Sequence, residues 1–267
     1  MAEDLKTKTV SGVIWSCLQK FGSTMLSFIS TIVLARLLTP EDYGYIGMLA
    51  IFLAIATTFI DGGFGSALIQ KKQPSHEDYS TIFFWNFGLS IVLYIVLFFA
   101  APFIASFYKL PLLNKILRVQ GLVLIINAIR IVHANQLRKQ LRFKKIVTID
   151  MTVATISLVV TIFFAWKGFG VWSLVVQQLI VSILTTVIYW VTGHWLPQLT
   201  FSKRSLKELF GFGGFILLSN LINTFCNNIQ GLLIGKFYSP ASLGYYSKAS
   251  GTEKLSASLI SSVMDQV

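Results

Sequence analysis

Apolar segments about 20 residues long, separated by short basic loops, follow one another from Val10 to the end of the 267-residue chain. A helix of this length spans the hydrocarbon core of a bilayer. The predicted spans cover residues 10–35, 43–65, 80–107, 113–135, 146–166, 170–192 and 209–235, and an eighth starts near residue 246. The predicted fold class is all-α, a polytopic helical membrane protein.

The first and seventh predicted spans each carry a row of polar side chains at three- and four-residue spacing, which places them on one helix face. The row in the first span is Ser16, Lys20, Ser23, Thr24, Ser27, Ser30 and Thr31. The row in the seventh span is Ser219, Asn220, Asn223, Thr224, Asn227, Asn228 and Gln230. Because lipid cannot satisfy such groups, we expect both faces to contact protein or water.

The two polar rows belong to an internal repeat with an offset of 200 residues. Segment 36–45 aligns without gaps with segment 236–245, with Pro, Gly and Tyr identical. Six predicted spans separate the copies, so both copies enter the membrane from the same side, as in parallel-repeat transporters. We therefore predict a six-helix amino-terminal lobe over residues 1–200 and the first one to two helices of a second lobe, incomplete, over 201–267. A chance match of two short loops is the alternative, but it leaves the coincident polar rows unexplained.

The composition excludes an ordinary soluble domain, since 54% of the residues are hydrophobic, 12% are charged and the mean hydropathy is +0.70. Most Lys and Arg residues lie at the span ends that share a side with the amino terminus, which predicts a cytoplasmic amino terminus. We expect a multi-pass protein of the bacterial inner membrane without a cleavable signal peptide. The net charge of +11 indicates contact with lipid headgroups, and no nucleic acid is implied.

Four charged residues fall inside or near the ends of predicted spans, where charge is costly and marks candidate functional sites. Lys20 lies near mid-bilayer within the first polar row, and we expect it to pair with Asp61. Arg130 is expected to pair with Asp150. Ion pairs that only fix helix packing are the alternative for both, more strongly for Arg130 with Asp150.

Lysine attracts phosphate or carboxylate, and hydroxyl and amide side chains suit sugar hydroxyls. The predicted substrate-binding residues are Lys20, Ser23, Ser27, Asn220, Asn223 and Asn227. The predicted ion-coupling or counter-charge residues are Asp61, Arg130 and Asp150. Directly after Asp61, three glycines within four positions predict either a loosened helix or close helix packing.

Four stretches of the chain, in this order, carry a family resemblance: Leu5 to Trp15, Leu34 to Gly44, Asp61 to Gln70, and Gly168 to Val175. Through them the chain resembles the polysaccharide transporters of the MOP exporter superfamily, the Wzx-type and teichuronic-acid-type exporters. The resemblance covers the whole chain but only about the first half of a family member, which normally has two six-helix lobes. The fold that it implies here is therefore a truncated MOP flippase fold.

The resemblance implies a flippase that moves an undecaprenyl-diphosphate-linked oligosaccharide, such as an O-antigen or capsule repeat unit, across the inner membrane by alternating access. The partners implied are the lipid-linked oligosaccharide, membrane lipids and the missing second lobe, with polysaccharide polymerase and glycosyltransferases as further candidates. No cofactor is expected.

Three alternatives stay open. A MATE-type exporter of drugs or organic cations would favour carboxylates in its cavity, whereas the first polar row holds Lys20 and no acid. A membrane enzyme would need an acid/base or metal cluster, but His76, His133 and His194 are far apart in sequence, so we predict no enzyme, no catalytic residue and no metal. A truncated fragment that does not transport is the third.

Overall fold

The computed structural model describes residues 22, 24–71, 74–140, 142–193 and 195–264, without the side chains at 66, 69, 143, 212 and 254–264. Lys20 and Ser23, two of the predicted binding residues, lie outside the described residues. All regular secondary structure in the described ranges is helical, which confirms the all-α fold class. The helices are α1 (Thr24–Leu37), α2 (Pro40–Asp61), α3 (Phe64–Gln70), α4 (His76–Tyr108), α5 (Leu112–Gln120), α6 (Leu122–Lys139), α7 (Phe143–Trp166), α8 (Val171–Thr192), α9 (Lys203–Phe237) and α10 (Pro240–Met264).

Within the described residues, five helical segments are long and apolar enough to cross a membrane: α2, α4, α5 with α6, most of α7, and α8. Helix α9 adds a sixth if its two arms, which meet at 54° between Gly211 and Gly213, form one bent span. The chain is therefore a multi-pass membrane protein, as its hydrophobic pattern predicts.

Each copy of the repeated loop is the start of a helix. Thr39 and Asp42 form a capping box on α2: the Thr39 backbone N–H donates to the Asp42 carboxylate at 2.9 Å, and the Asp42 N–H donates to Thr39 Oγ1 at 3.4 Å. At α10 the Ser242 N–H donates to Ser239 Oγ at 3.1 Å. A proline follows each capping residue at the first helical position, where its missing N–H costs nothing. The cap explains why α2 begins at residue 40, three residues before the predicted span.

The glycines after Asp61 end α2 and allow a close backbone contact. Gly62 and Gly63 have φ values of 55° and 71°, in the left-handed region that favours glycine. A side chain on Gly63 would collide with the backbone of Gly213, which lies at the bend of α9. Both expectations for these glycines therefore hold. Helix α2 ends at them, and the turn that they form packs tightly against α9.

Helix α2 is the centre of the packing, with its most extensive contacts to α10 and α9. Around the end of the bundle that carries Pro40 and Pro240, here called the proline end, a buried apolar cluster joins α2, α4, α5, α8 and α10, with Met48, Leu113 and Leu243 at its centre. Helices α6, α7 and α8 pack against one another on the other side of α2.

Three lysines in the terminal turns of their own helices bind the carbonyl ends of neighbouring helices. Lys139 Nζ donates to Leu68 O of α3 at 3.0 Å, Lys145 Nζ to Thr192 O of α8 at 2.6 Å, and Lys236 Nζ to Phe107 O of α4 at 2.6 Å. The last carbonyls of a helix lack intrahelical partners and carry partial negative charge. Part of the basic excess therefore serves to hold helix ends together.

Candidate functional site

A polar cavity of about 330 Å³ lies between α2, α6, α7 and α8. Its polar lining consists of Thr57, Asp61, Asn127, Arg130, Asn135, Arg138, Asp150 and Tyr189. Asn127, Arg130, Asn135 and Arg138 share one face of α6 because they recur at helical spacing. Arg130 Nε donates a hydrogen bond to Asn127 Oδ1 at 3.1 Å, which fixes the guanidinium against its own helix.

A second cavity, of about 470 Å³, lies between α1, α6, α7 and α8. Ser27, Ser30 and Thr31 of the first polar row line it, so this part of the row faces a polar cavity and not lipid alone. Its opposite wall includes Ser157, Gln177 and Thr185, which continue the hydroxyl and amide lining.

Arg130 and Asp150 line both cavities and therefore stand at the boundary between them. The Asp150 carboxylate attracts the Arg130 guanidinium, and Arg138 on the same helix repels it. Asp61 reaches the first cavity from the end of α2 and is attracted by Arg138. The predicted partner of Asp61, Lys20, lies outside the described residues, so that pairing stays a prediction.

The polar row of α9 lies elsewhere. Asn220, Asn223 and Asn227 are exposed and line neither cavity. The neighbouring Thr224 faces α2, where its hydroxyl lies 3.0 Å from that of Thr58. The structure therefore does not bring Ser27 and the asparagines of α9 together in either of these cavities.

Helices α2 and α10 cross closely at the proline end, and the contact is reciprocal. A Cβ atom on Gly44 would overlap the Pro240 carbonyl oxygen, and a Cβ atom on Gly244 would overlap the Pro40 carbonyl oxygen. These residues, Pro40, Gly44, Pro240 and Gly244, are here called the glycine crossing. Equivalent positions of the two repeat copies thus meet each other across an approximate twofold axis.

Sequence reasoning missed two residues that the structure makes conspicuous. Arg138 lines the first cavity, here called the charged cavity, although its position in a basic run indicated a loop. Its spacing of eight residues from Arg130 was the available signal. Lys248 was not singled out in the sequence, but it lies eight residues inside α10, with its ammonium 3.7 Å from the ring centroid of Tyr43 on α2. The offset of the repeat, which aligns Lys248 with Met48 inside α2, was the signal there.

The chain is similar to a protein family and to several individual proteins. The family described as polysaccharide biosynthesis protein matches residues 33–267. The teichuronic acid biosynthesis protein TuaB of Bacillus subtilis (strain 168) is 26% identical over 90% of this chain and 50% of its own length. The lipopolysaccharide biosynthesis protein WzxC of Escherichia coli (strain K12) is 26% identical over 92% of this chain and 50% of its own.

A third relative, the succinoglycan biosynthesis transport protein ExoT of Rhizobium meliloti (strain 1021), is 24% identical over 93% of this chain and 51% of its own. The chain thus spans about half the length of the curated relatives that it matches. No solved structure matches the chain significantly.

Proposed function

Because this chain belongs to the polysaccharide biosynthesis protein family, we propose that it supplies the amino-terminal lobe and the start of the second lobe of a flippase. The cargo of this flippase is an undecaprenyl-diphosphate-linked oligosaccharide, and the transport direction is outward across the inner membrane. It is a transporter and not an enzyme. The name of ExoT, a biosynthesis transport protein, supports the transport role.

The observation that carries this proposal is the glycine crossing. A transporter that rocks two lobes about a twofold axis needs equivalent elements of the two repeats to meet at that axis. The reciprocal contacts of Gly44 with Pro240 and of Gly244 with Pro40 supply such a meeting point. This geometry supports a parallel repeat better than a chance match of two short loops.

The charged cavity supports a role for the predicted ionic residues. Arg130 and Asp150 carry opposite charges and line both polar cavities, so charge is concentrated at the boundary between them. We assign Arg130, Asp150 and Asp61 to counter-charge or ion coupling. The residues that we assign to cargo binding lie on opposite sides of the transport path. They are Lys20, Ser23 and Ser27 of the first polar row and Asn220, Asn223 and Asn227 of the second. Two polar rows on separate lobes fit a path that widens and narrows between them.

Complementation tests the function. The full-length protein, produced in a bacterium that lacks its own flippase, is expected to restore surface polysaccharide. Arg130→Gln should lower export at least tenfold at equal membrane levels, since it removes the cation that lines both cavities at their boundary. Lys167→Gln removes an equal charge from the exposed end of α7 and is the matched control.

Failure of the parent protein to restore export in hosts with different repeat units would contradict the flippase assignment. Normal export by Arg130→Gln would remove Arg130 from the transport machinery and leave the assignment standing. Equal loss from Arg130→Gln and Lys167→Gln would mean that export responds to total charge and not to the cavity.

A further inference from the structure

Two lysines at the proline end have the same geometry relative to an aromatic ring but different surroundings. The Lys236 ammonium lies 3.7 Å from the ring centroid of Phe107 and donates a hydrogen bond to the Phe107 carbonyl oxygen. The Lys248 ammonium lies equally close to the ring of Tyr43. Among the described residues, however, Lys248 has no carboxylate or carbonyl partner for its ammonium.

Lys248 lies on α10 and contacts Tyr43 in the first turn of α2, one of the candidate membrane spans. It follows Pro240 by eight residues, which places it about 12 Å along α10 at 1.5 Å per residue. It lies one turn beyond Gly244 on the same face, so its side chain points toward α2 beneath the glycine crossing. The Lys248 side chain is partly buried, and a partly buried charge is costly unless it is paired; the ring offsets only part of that cost.

The ring that holds Lys248 carries a second polar group without a partner. The hydroxyl of Tyr43 is buried and makes no hydrogen bond within the described residues. Tyr43 packs beside Leu34 of α1, Leu38 directly after α1, and Leu174 of α8. An ammonium from the second repeat copy and a hydroxyl from the first therefore lie close together at the junction of the two, and both are able to donate to an anion.

Resting on the proposed function, we propose that Lys248 binds the anionic group of the cargo at the proline end of the transport path. Without cargo the Lys248 ammonium lies against the ring of Tyr43. With cargo it forms an ion pair with the anionic group, and the Tyr43 hydroxyl contributes a further hydrogen-bond donor. A diphosphate and a sugar carboxylate share the chemistry that this pair of donors recognises. Because Lys248 links the two repeat copies beside the glycine crossing, binding there weakens a contact that holds α2 and α10 together.

The test measures binding by calorimetry with the full-length protein in phosphatidylcholine nanodiscs. The probes are farnesyl diphosphate, methyl glucuronide and, as the neutral control, farnesol. Lys248→Met is expected to weaken binding of an anionic probe about ten- to a hundredfold, the usual effect of losing one charged hydrogen bond. Lys248→Arg should stay within a few fold of the parent, and Lys236→Met, the matched control, should not change binding.

Thermal unfolding separates binding from packing. Lys248→Met removes an unpaired ammonium and keeps an apolar side chain of similar length, so the melting temperature should stay equal or rise. A packing role through the ring alone predicts the reverse, namely a lower melting temperature with unchanged anion binding.

Loss of farnesyl diphosphate binding in Lys248→Met identifies the diphosphate as the source of the anion, and loss of glucuronide binding identifies the sugar. Unchanged binding of both probes, an equal loss in Lys236→Met, or no anion binding by the parent overturns the proposal. Export complementation by the parent is independent of these outcomes, so failure of the Lys248 site is distinguishable from failure of the flippase assignment.

Discussion

The glycine crossing gives the sharpest prediction about what holds the two repeat copies together. In Gly44→Ala the new methyl group would overlap the Pro240 carbonyl oxygen, and in Gly244→Ala it would overlap the Pro40 carbonyl oxygen. Both obstacles are backbone atoms, which cannot rotate away as a flexible side chain does. Helices α2 and α10 must therefore separate by on the order of 1 Å to reach an ordinary contact distance.

The expected cost combines two opposing effects. Overpacking of a close contact costs about 1–3 kcal/mol. Replacing glycine by alanine inside a helix returns about 0.5–1 kcal/mol through lower chain entropy in the unfolded state. Each single variant should therefore lose about 0.5–2 kcal/mol, or a few degrees in melting temperature for a chain of this size. Circular dichroism of the purified protein in detergent measures this shift.

Gly88→Ala is the matched control, because Gly88 lies inside α4 and a Cβ atom there would meet nothing within 4 Å. It should raise the melting temperature slightly. The double variant of Gly44 and Gly244 should lose less than the sum of the two single variants, since one separation of the helices accommodates both methyl groups. The reasoning fails if Gly44→Ala and Gly244→Ala behave like Gly88→Ala, or if their effects simply add.

Two further predictions concern contacts near α9. The pKa of Lys71 is raised: burial lowers it, but the hydrogen bonds and charges of Asp78 (3.0 Å) and Glu208 (3.4 Å) outweigh burial. A raised lysine pKa stabilises the fold fully below about pH 10.5, the unfolded value, and the gain is lost as pH rises through the folded value. The melting temperature of the parent should therefore fall as the pH rises from 8 to 11, and Asp78→Asn should lack this fall. Glu208→Gln should lower the free energy of unfolding by under about 1 kcal/mol, since Glu208 is 61% exposed. A double-mutant cycle of Thr58→Val and Thr224→Val should give a coupling near 0.6 kcal/mol across their 3.0 Å hydroxyl contact, and a value of zero would contradict that hydrogen bond.

The elements that depend on local sequence were predictable. Hydrophobic length gave the spans, and the repeated Thr-Pro and Ser-Pro sequences became the caps of α2 and α10. The glycines after Asp61 gave the break between α2 and α3. Boundaries moved by a few residues because caps, and not hydropathy, decide where a helix starts.

The site was less predictable, because the direction in which a polar row faces depends on helix rotation and on neighbours far away in sequence. Ser27 and Asn223 carry similar signals and both are exposed, yet Ser27 lines one of the two cavities and Asn223 lines neither. Arg138 and Lys248 show the same limit. Arg138 belongs to a basic run at a predicted span end and Lys248 is an isolated lysine, and only the packing shows that Arg138 lines the first cavity and that Lys248 contacts an aromatic ring.

Helix α2 connects these features physically. Its first turns carry the glycine crossing, its last turns carry Thr58 against α9 and Asp61 in the charged cavity, and it is regular between them over 22 residues, about 33 Å. A regular helix of this length moves as a unit, so separation from α10 at the proline end must also displace Asp61 relative to Arg138 on α6. The left-handed turn at Gly62 and Gly63 ends this rigid unit and lies against the bend of α9 at Gly213. The contact of the two repeat copies and the charges of the cavity are thus joined by one element, which is the coupling that the proposed alternating-access mechanism requires.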